Sequence, residues 1–219
     1  MGNLRCKRGV VLALALVLLM PAVLFGQNTP PAKKIVVLLL GAPGSGKTTQ
    51  AKNLSRKYKI PSYSMATILK KEAGWVKTKF KKNMSVLTAT GDFLNDELAN
   101  QLVEKYIITK KARNGFIMDG YPRSLKQALY FENTLKQLGL PAPVVVHLNV
   151  PDQIARERLA KRGQKQDKPE IIDQRFADYH AEAKFLVGHY QGRIHTIDGT
   201  ASIPQVWQSI EEAMARAGY

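Results

Sequence analysis

The chain has 219 residues, with 33 Lys plus Arg against 17 Asp plus Glu, a formal charge of +16, four histidines and one cysteine. At 45% hydrophobic and 23% charged residues this is the composition of a globular chain of about one domain, which excludes a wholly disordered or low-complexity protein. One cysteine closes no internal disulfide and builds no Cys-rich zinc site, and His147, His180, His189 and His195 show no ligand spacing, so any metal is expected to be a hard cation held by oxygen and phosphate.

At the N-terminus, Arg5, Lys7 and Arg8 precede eleven uninterrupted apolar residues, Val10 to Met20, and Pro21 to Gln27 then lead into the polar run Asn28-Thr29-Pro30-Pro31. Basic start, apolar centre and polar exit in that order read as a secretory signal peptide. Val10 through Phe25 is sixteen residues, short of the roughly 18 to 20 that span a bilayer as a helix, so cleavage near Gly26 is expected rather than a permanent anchor. Cys6 lies before the apolar run and makes no lipoprotein signal. Residues 1–31 are thus expected to be signal peptide and linker, and residues 32–219 the folded domain, exported to the periplasm or beyond. Only an uncleaved N-terminus would touch the membrane. Initiation at Met20 is the alternative, and it would leave a cytoplasmic protein.

Ile35 to Leu40 is an apolar run of strand length and reads as a strand buried on both faces. Gly41-Ala42-Pro43-Gly44-Ser45-Gly46-Lys47-Thr48 follows, an unbroken match to G-x-x-x-x-G-K-[ST] placed after a strand and before a helix. The residue types suit a nucleotide polyphosphate. Gly41, Gly44 and Gly46 let backbone N–H groups approach phosphate oxygens, with Ser45 in the same cradle and the positive end of the following helix behind it. Lys47 supplies a point charge to the β and γ phosphates, and the Thr48 or Thr49 hydroxyl reaches the magnesium shell.

Lys70 to Lys82 is the most basic stretch, with six lysines and one glutamate. Its charge suits a polyanion, whether nucleotide, nucleic acid or acidic lipid, but only Trp75 and Phe80 are interleaved, and no specific nucleic-acid binding is expected. Helical patterns run over Asp92 to Ile108, Ser124 to Leu138, Asp152 to Lys161 and Pro169 to Val187, alternating with strand-like runs at Phe116 to Met118, Val144 to Leu148 and Ile194 to Ile197. This alternation predicts an α/β fold, a doubly wound parallel sheet of five strands, with ligand at the carboxyl ends of the strands.

The phosphate loop, Asn114-Gly-Phe-Ile-Met-Asp119-Gly-Tyr-Pro-Arg123, Val150-Pro-Asp152, Arg158-Leu-Ala-Lys-Arg162-Gly and Ile197-Asp-Gly-Thr200, in this order, resemble the adenylate kinase family of nucleoside monophosphate kinases. The resemblance runs from Lys34 to the C-terminus. It implies reversible transfer of the γ-phosphoryl of ATP, as its magnesium complex, to a nucleoside monophosphate, AMP first among them. It also implies a monomer with a core sheet and two insertions, a monophosphate-binding segment over about residues 62–91 and a short lid over about 163–174. By the same resemblance Arg123 holds the monophosphate and Gln127, one helical turn on, reads its adenine edge. Arg158 lies beside the ATP base, Arg162 at the ATP phosphates and Arg175 on the transferring phosphoryl, while Asp119 orients magnesium through water. Ser64 keeps the serine of the monophosphate segment, and Lys70 stands where the family has an arginine.

Three departures bear on activity. Thr48 replaces the family's glycine, which the general phosphate-loop pattern tolerates. Ser64-Met65-Ala66-Thr67-Ile68-Leu69-Lys70 replaces the family's Ser-Thr-Gly-Asp segment, so Met65 brings no hydroxyl and Lys70 keeps charge without a bidentate fork. Gln164 to Asp173 contains no arginine and keeps only Asp167 of the family's paired lid aspartates. Two readings follow: an active monophosphate kinase, or a nucleotide-binding descendant with little turnover. A phosphate-loop kinase acting on some other acceptor is a third, against which Tyr-Pro-Arg and the Gln127 spacing argue.

Overall fold

In the computed structural model, which describes residues 33–80, 95–109, 112, 114–164 and 167–219, the apolar run after Lys34 is β1 (Ile35–Leu40), buried along its whole length. Four strands join it: β2 (Ser62–Ser64), β3 (Gly115–Asp119), β4 (Val144–Asn149) and β5 (Ile194–Asp198). All pairings are parallel and the order across the sheet is β2-β3-β1-β4-β5. The α/β class and the five-stranded parallel sheet are those expected from sequence. The signal-peptide and linker residues, residues 81–91 of the expected monophosphate segment and residues 165–166 of the lid lie outside the described residues.

The helices are α1 (Lys47–Tyr58), α2 (Met65–Lys71), α3 (Ala73–Phe80), α4 (Asp96–Thr109), α5 (Leu125–Gln137), α6 (Asp152–Arg162), α7 (Pro169–His189) and α8 (Ile203–Arg216). Their ends follow side-chain chemistry. Asn95 Oδ1 accepts from the Leu98 amide at 2.8 Å and caps α4 at Asp96; the start expected at Asp92 lies outside the described residues. Ser124 caps α5 through the Gln127 amide, and Gly163, in the left-handed region, ends α6. No described helix is long and apolar enough to cross a membrane.

Two corrections to the sequence reading concern elements. Ser62–Ser64 is an edge strand of the sheet, paired Ser62 to Ile117 and Ser64 to Asp119, so this end of the expected monophosphate segment belongs to the core. With two serines in three residues it offers no apolar run, and Tyr63 alone is buried. The final helix, α8, buries Val206, Ile210, Ala213 and Met214 at helical spacing behind a Ser202–Gln205 capping box, a pattern passed over in the sequence.

The sheet carries a core on each face. Val36, Leu38, Phe116, Met118 and Val145 pack with Leu98 and Leu102 of α4, Phe131 and Leu135 of α5, and Leu186 and Tyr190 near the end of α7. Val37, Leu39, Ile117, Val146 and Leu148 pack with Ala51 and Leu54 of α1 and with α8. A third, smaller cluster ties Ala42 of the glycine loop to Ala155 and Leu159 of α6 and to Ile172 and Phe176 of α7. Because every strand is parallel, all their carboxyl ends lie along one edge, where a doubly wound sheet presents its crevice.

Candidate active site

The loop from Gly41 to Gly46 turns directly from β1 into α1. Gly44 has φ +82°, and a Cβ there would stand 2.4 Å from the Ala155 carbonyl oxygen, so only glycine allows the loop to lie against α6. Gly46 is the N-cap of α1, which has no side-chain cap and no acidic residue in its first turn. No residue of the helix's own first turn therefore offsets its positive end, which suits an anion site.

Lys47 curls back over the loop: its Nζ donates to the carbonyl oxygens of Gly41 (2.7 Å) and Ala42 (2.8 Å) and to Ser45 Oγ (3.3 Å). Burial lowers its ammonium from the ordinary lysine range to about 8; Asp119 opposes the shift, while Arg123, Arg175 and Arg162 add to it. Asp119 ends β3, held in register by Leu39 on one side and Ser64 on the other, and is 5% exposed. Its Oδ2 accepts a 2.6 Å hydrogen bond from Thr48 Oγ1.

Four arginines face the same space. Arg123 follows the cis Tyr121–Pro122 peptide, and its Nε donates to the Gly120 carbonyl at 2.9 Å. Arg158 reaches the carbonyls of Gly199 (2.8 Å) and Thr200 (3.3 Å) past the end of β5. Arg162 grips Asp167 with a fork, Nε at 2.8 Å and Nη2 at 2.6 Å, and Arg175 Nη1 stands 3.6 Å from the same carboxylate. The hydrogen bonds from Arg162, foremost, hold the Asp167 carboxyl below its ordinary range. Desolvation lowers the Arg123 and Arg175 guanidiniums, with neighbouring arginines adding to it.

These groups line one cavity of about 590 Å³. Of the residues singled out in the sequence, Gly41, Gly44, Ser45, Gly46, Lys47, Thr48, Thr49, Ser64, Asp119, Arg123, Arg158, Arg162 and Arg175 are on its wall. Lys70 and Gln127 are not. Lys70 is exposed in the last turn of α2. Gln127 is 2% exposed, and its amide is spent internally: Oε1 accepts from the Arg123 amide at 2.7 Å and Nε2 donates to Asp96 Oδ1 at 2.9 Å. It braces the main chain that carries Arg123. Among the wall residues that escaped the sequence reading are His147, in β4, and Tyr179 on α7, joined at 3.2 Å between His147 Nε2 and the tyrosine hydroxyl. Burial, with Lys47 nearby, lowers the His147 imidazole. Nothing in their spacing, 32 residues apart, announces the pair.

A sequence description of the family "Adenylate kinase" matches residues 39–195. An adenylate kinase of Chelativorans sp. (strain BNC1) is 35% identical over 193 residues, covering 83% of this chain and 99% of that protein. Adenylate kinases of Xanthomonas campestris pv. campestris (strain 8004) and Mycobacterium tuberculosis (strain ATCC 25177 / H37Ra) are 34% and 33% identical, each over 82% of this chain and 99% of the relative. The chain belongs to the adenylate kinase family. It is therefore a nucleoside monophosphate kinase by family, of the class whose chemistry is ATP- and magnesium-dependent phosphoryl transfer between nucleotides. For an adenylate kinase family member the cavity has the needed parts: a loop of amide donors, a buried ammonium, one carboxylate and convergent guanidiniums. Positioning with charge compensation is what such a site supplies.

Proposed function

We propose that the chain transfers the γ-phosphoryl of MgATP reversibly to AMP, giving two ADP. The convergence of Lys47, Asp119, Arg123, Arg162 and Arg175 on one cavity beside the glycine loop carries this reading. The loop amides and Lys47 hold the donor phosphates, Arg158 lies at the donor base, Arg123 takes the acceptor phosphate, and Arg162 and Arg175 close on the group in flight, where guanidinium forks match phosphoryl oxygens. Ser64, on the cavity wall, belongs to the acceptor side, and Lys70, off that wall, adds no contact there. Gln127 acts there by fixing Arg123, its own amide being engaged.

A magnesium ion suits the donor set. No group of three or more His, Cys, Asp or Glu among the described residues could hold a metal by itself, but Asp119 and the Thr48 hydroxyl are hard oxygen ligands beside the phosphate loop. When bound, the ion neutralises charge on the donor phosphates.

The second reading, nucleotide binding with little turnover, draws on Lys70 and Gln127 lying off the cavity wall and on the short lid. Both readings meet one test. The purified full chain is incubated with MgATP and AMP, CMP, UMP or GMP in a coupled assay. ADP formation fastest with AMP is expected; ATP binding without ADP above the ATP-only control for all four would overturn the kinase reading. Export is proposed on Arg5 to Gln27 alone. Fractionation and N-terminal sequencing of the native protein should find a product starting near Gln27 outside the cytoplasm, and a cytoplasmic product starting near Met20 would refute it.

A further inference from the structure

We propose that Tyr179 and His147 are positioning residues for phosphoryl transfer: their hydrogen bond ties α7 to β4 one helical turn from Arg175 and so sets where that guanidinium meets the group in flight. The proposal rests on the phosphotransfer reading and deepens it. Tyr179 follows Arg175 by four residues in α7, so the two side chains share a face of the helix, and both line the cavity. The tyrosine oxygen stands 3.2 Å from His147 Nε2, on a strand inside the sheet.

Arg175 needs such a fixed point because its own side chain is loosely held. Asp167 lies 3.6 Å from its Nη1, beyond hydrogen-bond distance, and that carboxylate is already gripped by the Arg162 fork. Nη1 has no hydrogen-bond partner among the described residues. The place of the guanidinium is therefore left to the helix that carries it. The first half of α7 rests on Ala42 of the glycine loop and on Ala155 and Leu159 of α6 through Ile172 and Phe176, and such apolar contacts are non-directional. Its polar ties at Asp173 and His180 run to Arg156 and Asp152 of α6, so they do not refer α7 to the sheet. The bond at Tyr179 does.

His147 is a suitable reference because of its register. It pairs with Thr196 on β5 and with Leu40, the last residue of β1, from which the chain runs into Gly41, whose carbonyl accepts from Lys47. One rung of the sheet thus anchors Lys47 through the loop and Arg175 through Tyr179. Both partners of the bond are uncharged at neutral pH: burial, with Lys47 adding to it, lowers the imidazole, and burial, with Asp152 adding to it, raises the phenol. The pair therefore orients α7 without changing the cationic field that the phosphates meet. A purely structural alternative is that it only staples α7 to the sheet.

Single-turnover phosphoryl transfer from MgATP to AMP, followed by rapid quench on the full chain, tests the difference. Tyr179→Phe keeps the ring and its packing and removes only the hydroxyl. It and His147→Leu should slow transfer about tenfold, the order expected when a reacting group is slightly misplaced, with both steady-state KM values unchanged. His147→Gln, which keeps an amide near the Nε2 position, should recover most of the rate. In an Arg175→Ala background Tyr179→Phe should cost nothing further, because the tyrosine acts through that guanidinium. Transfer at the parent rate in Tyr179→Phe, a loss confined to either KM, or the same fractional loss with and without Arg175 would overturn the positioning role. A lowered Tm with unchanged transfer would reduce the pair to a staple. No ADP from the parent would instead overturn the phosphotransfer reading and this proposal with it.

Discussion

Lys47 sits where burial and three neighbouring arginines oppose its charge, and its ammonium is lowered to about 8 as a result. Between pH 8 and the ordinary lysine value of 10.5 the unfolded chain binds more protons than the folded one, so the contribution of this group to stability rises with pH across that window, and its cost is fully present below it. Lys47→Met should therefore raise folding stability near neutral pH, by on the order of 1 to 2 kcal/mol once the freed loop carbonyls are rehydrated. Urea denaturation should show the gain shrinking toward pH 10.5, while turnover falls by orders of magnitude. A phosphate beside the ammonium raises its proton affinity, so MgATP binding should weaken as pH climbs above about 8. Arg175→Ala should lower kcat more than it raises either KM: its Nη1 is buried without a hydrogen-bond partner, and full engagement awaits the transferring group. Gln127→Ala is a different kind of change. It strips an acceptor from the Arg123 amide and a donor from Asp96, which should cost about 1 to 3 kcal/mol of stability and raise the acceptor KM, with the MgATP KM unchanged. The loop was legible in the sequence because phosphate chemistry restricts each of its positions to few residue types at short spacing, whereas Asp119 and the arginines were picked out only by the resemblance to the family. Gln127's engagement with Asp96, 31 residues away, and the His147–Tyr179 pair depend on which helix packs beside which strand, and no local pattern encodes that.

Among the elements, β1, β3 and β4 announce themselves because a strand covered on both faces must be apolar throughout. The edge strand β2 has a neighbour on one side only, is three residues long and has serine at two of them, so its identity comes from pairing with β3 rather than from its own composition. In α8 the signal was present, with Val206, Ile210, Ala213 and Met214 on one face, and Ile210→Ala should cost about 2 to 5 kcal/mol in thermal or urea unfolding without altering either KM. The glycine loop behaves oppositely. Gly44→Ala would push a methyl group toward the Ala155 carbonyl from a left-handed backbone, so the loop must part from α6. Nucleotide affinity, measured by titration with ATP, should drop far more than a change of one methyl group would otherwise suggest. Asp167 alone gives the short lid its connection to both Arg162 and Arg175.

For the whole molecule, the parallel sheet gathers residues as distant in sequence as Gly41 and Arg175 at one edge, and the helices behind it are what hold that edge rigid. Ligand that binds only the folded chain stabilises it by mass action, so ATP at about 100 times its Kd should add about 2.7 kcal/mol, visible as a rise in Tm. β2 has one further consequence. Its three residues join the sheet at the rim, and its last residue, Ser64, also accepts from the Thr67 amide as the N-cap of α2 and lines the cavity. The acceptor side is thus sewn to the core by the shortest seam in the fold, whereas the donor loop springs from its central strand. In amide hydrogen exchange the two halves of the site should part company: β1 and β3 amides should exchange only by global unfolding, and those of Ser62 to Ser64 through a far cheaper local opening that detaches α2 with them. An acceptor nucleotide should close that opening and slow exchange there selectively, leaving the central strands unchanged.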